Sequence, residues 1–168
     1  MSLKNKEEIF IVIFVFIILK ISLYLFDEES YFNGEFSIYR LTVSLATIFY
    51  FLYKLKQENK NLAFREVFFF SFMAIVGMGL FGWVLDAFIY NYLDNTWLNH
   101  AVNIEYQAQK SELEAMNATG SLDRDFIEQD MIKEHSIWGL LKSFLFSLPF
   151  SAIFSFFIGL LFQSKSDD

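Results

Sequence analysis

IFIVIFVFIILKISLYLF, residues 9–26, is the stretch on which the fold turns, and Lys20 is the only charge inside it. A helix rises 1.5 Å per residue, so this block covers about 27 Å, close to the thickness of a bilayer's hydrocarbon core. A helix also satisfies its own backbone hydrogen bonds in lipid, which a lone strand does not. A secretory signal would end in a small-x-small cleavage site. Here Tyr24, Phe26, Asp27 and Glu28 follow instead, so the block is expected to stay as an anchor.

Working outward, three more apolar blocks appear, at residues 36–53, 66–92 and 137–162. An acidic turn containing Asn33-Gly34 separates the first two blocks. A basic loop, residues 54–65, leads to the third, with Asn61 as the expected N-cap. A polar segment, residues 93–136, precedes the fourth, and a short polar tail closes the chain. Hydrophobic residues make up 55% of the 168 positions, and 23 of them are Phe, more apolar surface than a soluble domain of this size hides. These blocks predict one domain over residues 1–168, an all-α integral membrane protein with four transmembrane helices.

Composition excludes several functions. The net charge of −7 has the wrong sign for nucleic acid. The absence of cysteine removes disulfides, thiolate metal sites and cysteine nucleophiles. Lys4, Lys6, Lys54, Lys56, Lys60, Arg65 and Lys165 gather on one side of the four spans. The other side holds only Lys110, Arg124 and Lys133, all in the long segment. By the positive-inside rule both termini are expected in the cytoplasm, in a multi-pass protein of the inner (cytoplasmic) membrane. Tyr50 and Tyr53 then mark the inner boundary, and Tyr24, Tyr90, Trp97 and Trp138 the outer one.

The segment 93–136 is expected outside the cytoplasm. It carries nine acids against three bases, no proline, and Gly120 as its only glycine. Gly120-Ser121 reads as a C-cap followed by an N-cap, which predicts a helical hairpin whose second arm leads directly into the fourth span. Such a hairpin is either a solvated connector or a docking surface for another protein. His100 and His135 lie in it among carboxylates, but two lone histidines at no ligand spacing do not make a metal site.

Gly77-Met78-Gly79-Leu80-Phe81-Gly82 matches the dinucleotide pattern G-x-G-x-x-G letter for letter. It lies mid-span, follows no strand and opens no βαβ unit, so it has no pyrophosphate to cradle. Within a membrane helix, glycines let a neighbouring backbone approach. At 100° per residue, Ser71, Gly79, Gly82 and Asp86 share one sector of the third helix, the sector expected to pack inward. Pro149 removes a backbone donor in the fourth span and predicts a kink near mid-membrane.

Four charges fall inside the spans: Lys20, Arg40, Asp86 and Lys142, one on each helix. Counted back from the outer ends of the spans, each lies roughly 6–9 Å inside the boundary. An acid in hydrocarbon is costly unless paired or wet, so Asp86 is the most informative of them. The layer is either a buried salt bridge that fixes helix order, with lysines snorkelling outward, or a net-positive pocket for an anionic lipid headgroup or another anion.

Leu62-Ala63-Phe64-Arg65-Glu66-Val67-Phe68 places Phe, Glu and Phe at alternate positions where the third span begins. There, and in layout over nearly the whole chain, the sequence resembles a family of uncharacterised bacterial membrane proteins classed only as a domain of unknown function. The resemblance implies four spans with a long charged helical segment between the third and fourth, and no established activity. Members often carry a proline after the third span; residues 91–100 here have none.

No paired-carboxylate, metal or nucleophile motif lies within a span, so no enzyme and no cofactor are expected. The leading expectation is an accessory or scaffolding subunit of a membrane complex, bound to the bilayer and to a membrane-protein partner or another copy of itself. The alternative is a small transporter or a lipid- or anion-binding protein using the layer around Asp86.

Overall fold

Long apolar runs with few helix breakers leave the backbone one economical conformation, and the computed structural model is built from helices accordingly. It describes residues 3–26, 31, 37–58, 62–93, 97–116 and 123–163. In chain order these form α1 (Leu3–Phe26), α2 (Ser37–Glu58), α3 (Phe64–Phe88), α4 (Trp97–Ala115), α5 (Arg124–Glu134) and α6 (Ile137–Phe162). No strand occurs among the described residues. The turn signals Asn33-Gly34 and Gly120-Ser121 and the expected cap Asn61 lie outside them.

Three helical stretches are long and apolar enough to cross a membrane: Lys6–Phe26, Phe64–Leu93 and Ile137–Phe162. Their outward faces carry Phe14, Leu25, Val84, Phe146, Phe150 and Leu161, all well exposed, an inside-out surface that suits lipid. α2 is a 22-residue helix outside that set of three. Arg40 near one end and Lys54, Lys56 and Glu58 near the other make it more polar than its neighbours.

α3 is the central element. It packs most extensively on α6 and next on α1, while α2 leans mainly on α1 and touches α3 and α6 lightly. The apolar core occupies one end of this bundle, where Val12 of α1, Ile48 and Leu52 of α2, Val67 and Phe70 of α3, and Ile158 of α6 meet. Gly159 matters there: a Cβ on it would press on the ring of Phe64, so its bare backbone lets the ends of α3 and α6 close up.

Several element boundaries have local causes. α3 starts one residue after Ala63, not at Asn61, because the Glu66 carboxylate reaches back to accept from the Ala63 N–H at 3.4 Å. At its far end α3 widens into a π-helical turn over Ile89–Leu93. Here the Asn91 side-chain amide donates to the carbonyls of Ala87 (2.9 Å) and His135 (3.3 Å), tying the end of α3 to the α5–α6 junction.

The expectation that the second arm of the polar segment leads straight into the last span needs correction. α5 stops at Glu134, and α6 begins anew with Ser136 as N-cap, its Oγ accepting from the Gly139 N–H at 3.1 Å. Gly139 sits against the Lys133 and Glu134 carbonyls, where a Cβ has no room. A serine cap and a glycine together break what composition reads as one helix. α4 and α5 pack against each other, with Val102 and Ile127 buried between otherwise exposed, charged surfaces. α6 runs through Pro149 without interruption, and the hydroxyls of Ser147, Ser151 and Ser155 each donate to a backbone carbonyl three or four residues earlier.

Candidate functional site

At the end of the bundle away from the apolar core lies a polar cluster. Its centre is Asp86, one turn before the π-helical end of α3. Lys20 of α1 approaches it with Nζ 2.5 Å from Oδ2, and the same ammonium donates to the Gly82 carbonyl at 3.1 Å. Gly82 permits that approach, because a Cβ there would stand 3.3 Å from the Phe16 ring and 3.5 Å from Lys20 Nζ. The Tyr31 hydroxyl donates to the other carboxylate oxygen, Oδ1. Lys20 and Tyr31 are each only 4% exposed. The Lys20 ammonium is thus out of water while the Asp86 side chain keeps 24% of its surface exposed; both carboxylate oxygens are satisfied, which is the condition for keeping a charged pair in an apolar setting.

An aromatic chain extends this clasp. Tyr31 meets Tyr24 edge-on at 5.5 Å between centroids and Tyr90 at 6.4 Å, and Tyr90 meets the His135 ring at 4.7 Å. α1, α3 and the α5–α6 junction are therefore joined at one level by ring contacts. Sequence reading places Lys20 and Asp86 at a common depth, but nothing in it picks out Tyr31, which falls within the acidic stretch between the first two apolar blocks, where there is no periodic pattern.

Beside the clasp is a cavity of about 410 Å³, lined among others by Phe16, Leu41, Ile75, Met78 and Phe144 together with Lys20 and Asp86. Two of its polar lining groups, Ser44 Oγ on α2 and Trp83 Nε1 on α3, are buried and find no hydrogen-bond partner among the described residues. A second cavity of about 430 Å³ lies at the α5–α6 junction, bounded by Asp130, Lys133, Glu134, His135 and Lys142. Leu140 and Ser143 line both cavities, so the two adjoin along α6.

Of the four charges expected in one layer, the side chains of Lys20, Asp86 and Lys142 are among those the structure describes. Lys20 and Asp86 pair; Lys142 lines the second cavity, with Nζ 6.0 Å from the Phe146 ring centre. Arg40 belongs to α2, but its side chain lies outside what the structure describes. The glycines of the expected inward sector also divide their work. Gly82 admits α1, whereas Gly79 faces the Phe144 ring of α6, 3.2 Å from where a Cβ would stand. Ser71 is fully buried and donates to the Val67 and Phe68 carbonyls at 2.9 and 3.1 Å, closing its polarity on its own helix.

A second buried charge went unread in the sequence. Glu8 is 4% exposed, and its Oε1 stands 3.7 Å from Lys54 Nζ of α2. It falls one residue before the apolar block, so hydropathy assigns it to the outside, while packing of α2 against α1 covers it. Among the described residues, no three His, Asp or Glu side chains cluster as metal ligands would.

Comparison with known proteins adds one finding. A family model described as a protein of unknown function, DUF4199, matches residues 9–164. No curated protein and no solved structure matches the chain.

Proposed function

We propose that this chain, which belongs to the DUF4199 family of proteins of unknown function, is a non-enzymatic accessory subunit of a membrane complex. In this reading α1, α2, α3 and α6 cross the inner membrane four times, both termini face the cytoplasm, and the α4–α5 pair is a hairpin on the other side. α2 completes the bundle as the fourth span because its outward face, Leu41, Val43, Phe49 and Tyr50, is apolar like that of its neighbours. Its cationic end, Lys54 and Lys56, shares a side with Arg65 at the start of α3.

The observation that carries the accessory role is on the hairpin. Met116, at the end of α4, is 73% exposed and Phe126, in the first turn of α5, is 69% exposed. Glu112, Glu114, Asp123 and Asp125 stand beside them in sequence, also exposed. Two large exposed apolar side chains in an acidic setting, on a helical pair with little core of its own, are the composition of an anchor for a partner with a basic rim. The clasp gives the bundle's central charges a structural use, since Asp86 takes up both the Lys20 ammonium and the Tyr31 hydroxyl.

The test is purification in mild detergent at native expression, with quantitative mass spectrometry of what co-migrates. A membrane protein is expected in fixed ratio to this chain, and Phe126→Ala is expected to release it while accumulation in the membrane is unchanged. A lone chain, or a partner indifferent to Phe126→Ala, would sink the proposal.

A further inference from the structure

We infer that the two adjoining cavities form one site for a zwitterionic glycerophospholipid, with its ester oxygens held by Ser44 and Trp83. The inference rests on the membrane placement proposed above, not on the accessory role.

The first cavity has the character of an acyl-chain pocket. Phe16, Leu41, Ile75, Met78 and Phe144 give it apolar walls contributed by all four bundle helices. A hydrocarbon pocket has no use for donors, yet Ser44 Oγ and Trp83 Nε1 are buried on its lining without partners among the described residues, Ser44 being 5% exposed. A buried donor left unsatisfied keeps its full desolvation cost, so such groups imply an acceptor in the functional state. Lys20 does not supply the recognition, because Asp86 already neutralises it at 2.5 Å. What the pocket asks for is a neutral oxygen acceptor attached to hydrocarbon, and an acyl ester is that group.

The second cavity supplies the rest of the molecule. Lys133 and Lys142 balance Asp130 and Glu134 on its lining, two cations against two anions. That balance suits a phosphate joined to an ammonium better than a net anion. Leu140 and Ser143, common to both cavities, lie between the charged lining and the deeper residues Phe144 and Ser147. From Gly139 in the charged cavity to Ser147 in the apolar one, α6 descends about 12 Å. Head group, esters and chains of a phospholipid follow in that order along a membrane normal.

The experiment uses the whole chain, delipidated in mild detergent and titrated with palmitoyl-oleoyl phosphatidylethanolamine, palmitoyl-oleoyl phosphatidylglycerol or methyl palmitate, bound lipid being counted by native mass spectrometry. A one-to-one phosphatidylethanolamine adduct is expected. Trp83→Phe and Ser44→Ala should each weaken it, by about tenfold for the loss of one buried hydrogen bond. Ser143→Trp, at the shared lining, should abolish it. Lys133→Ala combined with Lys142→Ala should weaken the phosphatidylethanolamine adduct and leave methyl palmitate unaffected. Thermal melts of each variant distinguish lost binding from lost folding, and either of the two single variants alone suffices if the other unfolds. No adduct at any ratio, or equal occupancy in folded Trp83→Phe, Ser44→Ala and Ser143→Trp, would overturn the site. Phosphatidylglycerol or methyl palmitate binding as tightly as phosphatidylethanolamine would overturn its head-group half. The readout involves no protein partner, so it fails independently of the accessory role.

Discussion

At the scale of single residues, the arrangement around Asp86 is the most demanding feature of the chain. One carboxylate receives an ammonium on one oxygen and a phenol on the other, and the ammonium's remaining capacity goes in part to the Gly82 carbonyl. Removing one member leaves the other charge buried and unmatched, which costs about 3–5 kcal/mol, whereas replacing both by apolar groups of similar size is often neutral. Asp86→Ala is therefore expected to strip the protein from the membrane fraction, and Lys20→Met combined with Asp86→Leu to return it, as read by accumulation and thermal midpoint. Equal accumulation of the single variant and the parent would show that the pair does not hold α1 to α3. Lys20 and Asp86 are each visible in the sequence as misfits in apolar runs. That they choose each other is not, because 66 residues separate them and Arg40 and Lys142 have the same sign and similar depth.

At the scale of elements, helix ends are set by a few atoms that hydropathy does not weigh. Ser136 caps α6 and Gly139 fits under the last carbonyls of α5, so a segment with no proline still breaks cleanly. Gly139→Ala is expected to destabilise the protein by about 1–3 kcal/mol, since its Cβ meets fixed backbone. Gly77→Ala is the comparison: its Cβ meets the Ile13 side chain and no fixed backbone, so a smaller loss is expected. Indistinguishable melting temperatures for the two variants would show that the α5–α6 junction is not a tight joint. The same logic explains the start of α3, where the Glu66 carboxylate, two residues inside the helix, accepts from the Ala63 N–H. The glycine-rich run of α3 likewise divides between two neighbours, Gly79 toward α6 and Gly82 toward α1, a division that depends on where those helices stand.

For the whole molecule, the absence of cysteine provides a direct measure of topology. Single replacements Ser30→Cys, between α1 and α2 in the sequence, and Gln57→Cys, at the end of α2, can be labelled with a membrane-impermeant maleimide. The four-span arrangement predicts that Ser30→Cys reacts in intact cells and Gln57→Cys only after permeabilisation. Reaction of both in intact cells would remove α2 from the set of spans. What the sequence by itself determined is the helical character of the chain and the presence of long apolar helices. Both follow from local properties, the length of each run and the need of a backbone in lipid to bond to itself. Only the tertiary structure decided which faces meet. It joined Asp86 to Lys20 and Tyr31, buried Glu8 beside Lys54, and set Ser44 and Trp83 on the wall of one cavity. The physical reason is that a span's length is written along the chain, while the rotation and order of packed helices depend on side chains brought together from segments far apart in it. The anchor at residues 9–26 is legible from its own letters; the use of its one charge is legible only from α3.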